Sequence, residues 1–154
     1  MAKEIERKFL VCDSSYKDLA SSSFRIMQGY LSDDPERTVR IRIKGDRGYL
    51  TIKGLTCGAI RDEWEYEVPV DDALDMLRLC RQECVVSKTR YLTADGWEID
   101  EFHDRLRGLI IAEIELEDES SEFPRPRFIG REVTGDPRYY NSVLASCDCI
   151  PPTE

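Results

Sequence analysis

At 154 residues the chain has the size of one domain and is long enough to bury a core. Charged residues make up 34% and hydrophobic ones 41%, and 31 acidic against 22 basic side chains leave a formal net charge of -9. Such an acidic surface repels phosphate backbones and anionic lipid, so no nucleic-acid or membrane partner is expected, and no apolar run approaches the roughly 18 residues a membrane span needs.

Met1 to Lys8 carries no apolar export segment, which predicts a cytoplasmic protein. Period-two alternation, the mark of strands with two different faces, starts at once. It predicts strands over Glu4 to Val11, Phe24 to Leu31, Thr38 to Lys44, Tyr49 to Lys53, Ile60 to Val68, Val85 to Leu92, Trp97 to Phe102 and Leu109 to Glu117. Turn residues Gly45 to Gly48 and Ala94 to Gly96 join neighbouring runs as hairpins, which makes the sheet antiparallel. Helices are expected over Asp71 to Cys80, with an apolar stripe after an acidic start, and over Arg138 to Ala145. The segment from Pro124 to Pro126 reads as an irregular connection. No repeat or linker divides the chain, so one unit spanning 1–154 is expected.

Six cysteines (Cys12, Cys57, Cys80, Cys84, Cys147 and Cys149) lack the spacing of a zinc site and read as free thiols in a reducing compartment. The single His103 supports neither a triad nor a histidine metal site.

Sorting side chains by strand parity separates the charges. Glu4, Glu6 and Lys8 share a face opposite Ile5 and Phe9, with Arg7 as the exception. Arg40, Arg42 and Lys44 oppose Val39, Ile41 and Ile43, and Lys53 stands apart from Ile52 in the same way. Arg61, Glu63, Glu65 and Glu67 oppose Trp64 and Tyr66; Lys88 and Arg90 oppose Tyr91; Glu98 and Asp100 oppose Trp97 and Ile99; Glu113, Glu115 and Glu117 oppose Ile114 and Leu116. A half-buried sheet with its charged face in water explains alternation alone. It does not explain why carboxylates gather on the first, fifth and last strands and cations on the third, fourth and sixth. If the sheet closes with this face inward, the buried charges need partners. Carboxylates suit a hard divalent cation and Lys and Arg suit phosphate oxygens, so the ligand class that needs both is a metal-bound polyphosphate.

These residues carry a resemblance. Glu4-Ile5-Glu6-Arg7-Lys8 is similar to the ExExK signature of the CYTH superfamily, or triphosphate tunnel metalloenzymes. The likeness continues through Arg40-Ile41-Arg42, Thr51-Ile52-Lys53, Arg61 to Glu65, Lys88 to Tyr91, Glu98-Ile99-Asp100 and Glu113-Ile114-Glu115. Gly130 to Thr134 and Arg138 to Ala145 look like the closing segment of small bacterial members. The resemblance implies a mainly β (α+β) fold, an eight-stranded antiparallel β-barrel tunnel with a few flanking helices, and a homodimer. It implies two Mg²⁺ or Mn²⁺ ions held by Glu4, Glu6, Glu63, Glu65, Asp100, Glu113 and Glu115. Lys8, Arg40, Arg42, Lys53, Lys88 and Arg90 fall on the phosphate-gripping positions. Glu4, Glu6, Lys8, Arg61, Glu63 and Glu65 are the expected catalytic set. Lys44, Glu67, Glu98 and Glu117 have no strong match.

The reaction implied is in-line attack of water on a terminal phosphorus of a triphosphate, without a covalent nucleophile. Inorganic tripolyphosphate is the first reading. A class IV adenylyl cyclase, a thiamine or nucleoside triphosphatase, and a module that captures polyphosphate without cleaving it remain open. Residues Arg138 to Ala145 are read equally as a lid or as a packed helix.

Overall fold

Each alternating segment forms a strand in the computed structural model, which describes residues 3–147 and 150–152. The strands are β1 (Lys3–Val11), β2 (Ala20–Ser32), β3 (Thr38–Lys44), β4 (Arg47–Lys53), β5 (Ile60–Val68), β6 (Val86–Thr93), β7 (Trp97–Phe102), β8 (Ile110–Glu115) and β9 (Ile129–Glu132). Helices α1 (Tyr16–Leu19), α2 (Val70–Leu79) and α3 (Asn141–Ser146) lie between or after them.

The sheet order is β5-β4-β3-β2-β6-β7-β8-β1-β9, every pairing is antiparallel, and β5 also pairs with β1. That last pairing, Lys3 to Ile5 against Asp62 to Ile60, closes eight strands into a barrel. β1 is shared along its length: its first residues meet β5, and Phe9 and Val11 meet β9. The β3–β4 hairpin turns on Gly45 at φ +62, a conformation a two-residue turn requires.

Apolar side chains pack largely outside the barrel. Phe9, Trp97, Ile99, Ala112 and Phe128 form one cluster, and α2 covers Ile41 with Ala73, Leu77 and Cys80. Side chains at Gly29 and Gly48 would bar α2, because a Cβ there would meet Cys80 Sγ at 2.8 Å and Ala73 Cβ at 2.7 Å. A third cluster is different. Val86, Phe102 and Ile111 share the inward parity of Gln28, Lys88 and Asp100, their cross-strand partners, and they pack with Leu106, Val133, Tyr139 and Leu144. One end of the barrel is thus filled with hydrocarbon and backed by the C-terminal segment.

The expected boundaries shift in several places, and β2 begins at Ala20 rather than Phe24. β9 is added, a short strand whose neighbouring prolines hide its alternation; α1 is a single turn. β8 ends at Glu115 rather than Glu117. The helix expected over Arg138 to Ala145 splits into a 3-10 turn, Pro137–Tyr139, and α3, because Tyr140 is extended at ψ 135. Arg7, the exception to parity, is explained on the outer face: its guanidinium meets Glu132 on β9 at 2.8 and 2.5 Å and stacks 4.9 Å over Phe123. The cysteines described are free thiols, and Cys149 lies outside the described residues.

Candidate active site

Barrel order turns the segregation of charge into two walls. β7, β8, β1 and β5 are consecutive around the barrel and carry the carboxylates, while β4, β3, β2 and β6 follow, with the cations on β4, β3 and β6 and the neutral Gln28 and Tyr30 on β2. Strand registers set the pairs. Glu6 stands directly opposite Glu115, and Glu113 is flanked by Lys8 on one side and Glu98 on the other. On the basic wall Arg42 is opposite Gln28 and Arg40 opposite Tyr30 and Thr51.

The walls enclose a cavity of about 210 Å³. Glu4, Glu6, Glu63, Glu65, Glu98, Glu113 and Glu115 line it from one side and Arg40, Arg42, Lys44, Lys53 and Arg90 from the other, with Asn141 at the boundary. Glu4, Glu6, Arg40, Lys53 and Asn141 also border an adjoining chamber whose remaining wall is mostly neutral, including Thr56, Thr134 and Tyr140. Lys8 reaches this chamber too.

Some charges are paired within the protein. Lys53 Nζ lies 3.1 Å from Glu4 and 3.1 Å from Glu63, Arg40 lies 3.5 Å from Glu65, and Lys8 lies 3.8 Å from Glu113 while donating to the Tyr139 carbonyl at 2.9 Å. Others are not. Among the described residues no carboxylate lies within ion-pair distance of Arg42, which donates to the neutral Gln28 Oε1 at 3.0 Å. Gln28 Nε2 and Arg40 Nε are buried without a hydrogen-bond partner among the described residues, an arrangement that favours a ligand supplying acceptors.

Protonation follows from the same geometry. Burial, with Arg40 and Arg90 nearby, pulls Arg42 down to about 9. Burial and the neighbouring Glu113 and Glu4 push Glu6 well above the ordinary carboxylate range, and burial with Glu4 and Glu98 also raises Glu115. Burial and a hydrogen bond to Glu4 raise Glu63 to about 7; burial opposes ionisation of Glu4 too, but Lys53 holds it at about 2. Glu4 and Glu63 therefore titrate as a pair. Half-buried Glu6 held opposite Glu115 and beside buried Glu113, with the pKa of Glu6 raised, makes a donor set short of positive charge. Its all-oxygen chemistry fits a hard divalent cation. Among the described residues no three such side chains are already drawn around a common point, so the fit is chemical rather than a preformed chelate.

Three expected site residues sit elsewhere. Asp100, expected as a metal ligand, is 1% exposed, and both its oxygens are taken by Arg90 at 2.7 and 2.9 Å with Lys88 Nζ at 2.7 Å. Burial opposes its ionisation, yet these two cations hold it far below the usual range. Lys88, expected to grip phosphate, is fully buried against Asp100 and the Phe102 ring and does not reach the cavity. Arg61 donates at 2.7 Å to both Gly54 O and Thr38 Oγ1, so it braces β5 and borders the neutral chamber rather than the charged cavity. Sequence reasoning missed Gln28, Tyr30 and Asn141. Gln28 and Tyr30 share the inward parity of β2, a usable signal obscured because that strand carries no charge on this face.

The sequence matches the CYTH domain family over residues 2–140. It is 49% identical over 147 residues to the inorganic triphosphatase of Acetivibrio thermocellus, covering 94% of each chain. It is 36% identical over 149 residues to the inorganic triphosphatase of Nitrosomonas europaea, covering 92% of this chain and 96% of that one. The fold resembles the crystal structure of the inorganic triphosphatase NE1496 with a TM-score of 0.63 and 32% identity over 94% of this chain and 95% of the other. With its barrel closed on charged walls and the match spanning nearly all its length, the chain belongs to the CYTH family.

Proposed function

We propose that this protein hydrolyses inorganic tripolyphosphate to diphosphate and phosphate inside the charged barrel, as a single unit in the cytoplasm. The observation that carries the reading is the pair of opposed walls, acidic on β7-β8-β1-β5 and basic on β4-β3-β2-β6, across one enclosed cavity. A phosphate chain alone would leave Glu6 and Glu115 uncompensated; a cation alone would leave Arg42 so. The names of the relatives above support tripolyphosphate over a nucleotide.

Arg40, Arg42, Lys53, Arg90 and Lys8 bind and orient the phosphates, with Arg42 free of any competing carboxylate among the described residues. Glu4, Glu6, Glu63, Glu65, Glu113 and Glu115 hold Mg²⁺ or Mn²⁺, two ions on this reading, which when bound supply Lewis-acid stabilisation of phosphoryl oxygens and activation of water. Positioning between the two walls aligns water with the scissile P–O bond, and fixed cations stabilise charge on the transferred group and on departing diphosphate. Asp100 keeps Arg90 ionised and aimed at the cavity.

Phosphate release from tripolyphosphate, thiamine triphosphate and ATP, measured with Mg²⁺ or Mn²⁺ and with cyclic AMP followed in parallel, tests the assignment. Tripolyphosphate should be turned over fastest. Dominant cyclic AMP formation from ATP would make the protein a cyclase, and tight phosphate-chain binding without cleavage would make it a capture module.

A further inference from the structure

The seven-residue connection between β7 and β8 is shaped around one side chain. Asp104 adopts φ +57, a left-handed conformation uncommon outside glycine, and Gly108 adopts φ +100. Between them Leu106 is buried in the cluster that fills the closed end of the barrel, and Arg105 turns to the C-terminal segment. Its Nε donates to Cys147 O at 2.8 Å, and its Nη2 donates to Leu144 O at 3.3 Å and to Ala145 O. Three carbonyls at the end of α3 thus converge on one guanidinium.

α3 has six residues, far fewer than a helix needs to stand alone, and at its end only the Cys147 N–H, donating to Leu144 O at 3.3 Å, and the Ser146 hydroxyl, donating to Val143 O at 3.0 Å, cap its carbonyls locally. A fork of donors carrying positive charge satisfies both needs. The other end of the same segment reaches the site. Tyr139 O accepts from Lys8 Nζ, and Asn141 borders both the charged cavity and the neutral chamber. We infer that Arg105 is a positioning residue for substrate: it pins the end of α3 so that Tyr139 to Ser142 stand as the end wall of the tunnel, fixing Lys8 and limiting how long a phosphate chain fits. Arg105 touches no substrate itself. The inference rests on reading the barrel as a tripolyphosphate site.

Arg105→Met removes the donors and keeps the stem. Its KM for tripolyphosphate should rise about ten-fold, because apparent affinity falls with the fraction of molecules whose wall is in place, while kcat stays within about two-fold. The ratio of kcat/KM for tetrapolyphosphate over tripolyphosphate should rise, which a general loss of packing does not produce. Arg105→Lys, with a cation but no fork, should fall between the two and decides the matter if the Met variant does not fold. Independently, saturating tripolyphosphate with Mg²⁺ should slow amide exchange across α3 in the wild-type protein. Folded variants with wild-type KM and wild-type chain-length preference, or α3 exchange indifferent to the phosphate chain, overturn the latch. Wild-type protein that neither binds nor cleaves tripolyphosphate overturns the functional reading instead.

Discussion

Glu6 on β1 and Glu115 on β8 stand directly opposite each other across the barrel wall, a cross-strand pairing of like charges that destabilises a sheet unless something positive comes between them. Their burial and proximity to other carboxylates raise both above the ordinary carboxylate range. Glu6→Gln or Glu115→Gln should therefore cut metal-dependent tripolyphosphate turnover by about a hundred-fold or more, as expected when transition-state stabilisation is removed. The thermal midpoint of either variant without metal should equal or exceed that of the parent. Scanning calorimetry beside a phosphate-release assay checks both halves; a large fall in the midpoint would show the pair to be structural.

Arg42 is the mirror case on the basic wall, a buried guanidinium facing the neutral Gln28. Arg42→Met should raise KM about ten- to hundred-fold, the scale of a lost hydrogen bond to a charged group. Its thermal midpoint in phosphate-free buffer should not fall. Steady-state kinetics with thermal melting reads this directly, and an unchanged KM would remove Arg42 from the substrate site.

Asp100 behaves oppositely, because it is the common counter-ion of Arg90 and Lys88. Asp100→Asn leaves two buried cations without it and should cost about 3–5 kcal/mol. Urea denaturation measures that loss. A variant as stable as the parent would reopen Asp100 as a ligand rather than a brace.

The carboxylate cluster also fixes a pH dependence. Glu63 at about 7, and Glu6 and Glu115 likewise raised, keep protons in the folded protein that the unfolded chain has released. Stability from these groups is complete below the ordinary value of 4.5 and is lost as pH rises through their folded values. A divalent cation competes with those protons, so the gain in thermal midpoint on adding Mg²⁺ should be larger at pH 7 than at pH 5. A gain independent of pH between these points would separate the metal from the cluster.

The barrel was legible because its two faces differ, apolar outside and charged inside, which writes alternation into the strands: Arg40, Arg42 and Lys44 had to point inward once Val39, Ile41 and Ile43 faced out. Closure itself was not legible from composition, since a solvated sheet shows the same parity; the register of Lys3 to Ile5 against β5 decides it. Spatial order matters more than chain order. β1 and β5 are far apart in sequence, and only their pairing joins the carboxylates into a wall. Charge type gave the cavity residues but not their partners, so Asp100 looked like a ligand until its two cations were seen. Glu98 and Lys44, left unassigned, line the cavity; Glu67 meets Arg47 at 3.5 Å on the exterior.

The decisive measurement is the mutual dependence of cation and phosphate chain. Calorimetric titration with tripolyphosphate should show tight binding in Mg²⁺ and much weaker binding in chelator. Titration with Mg²⁺ should in turn show a gain of the same factor when tripolyphosphate is present, since coupling between two sites is reciprocal. Equal affinity for tripolyphosphate with and without the cation would contradict the account of two charged walls neutralised together.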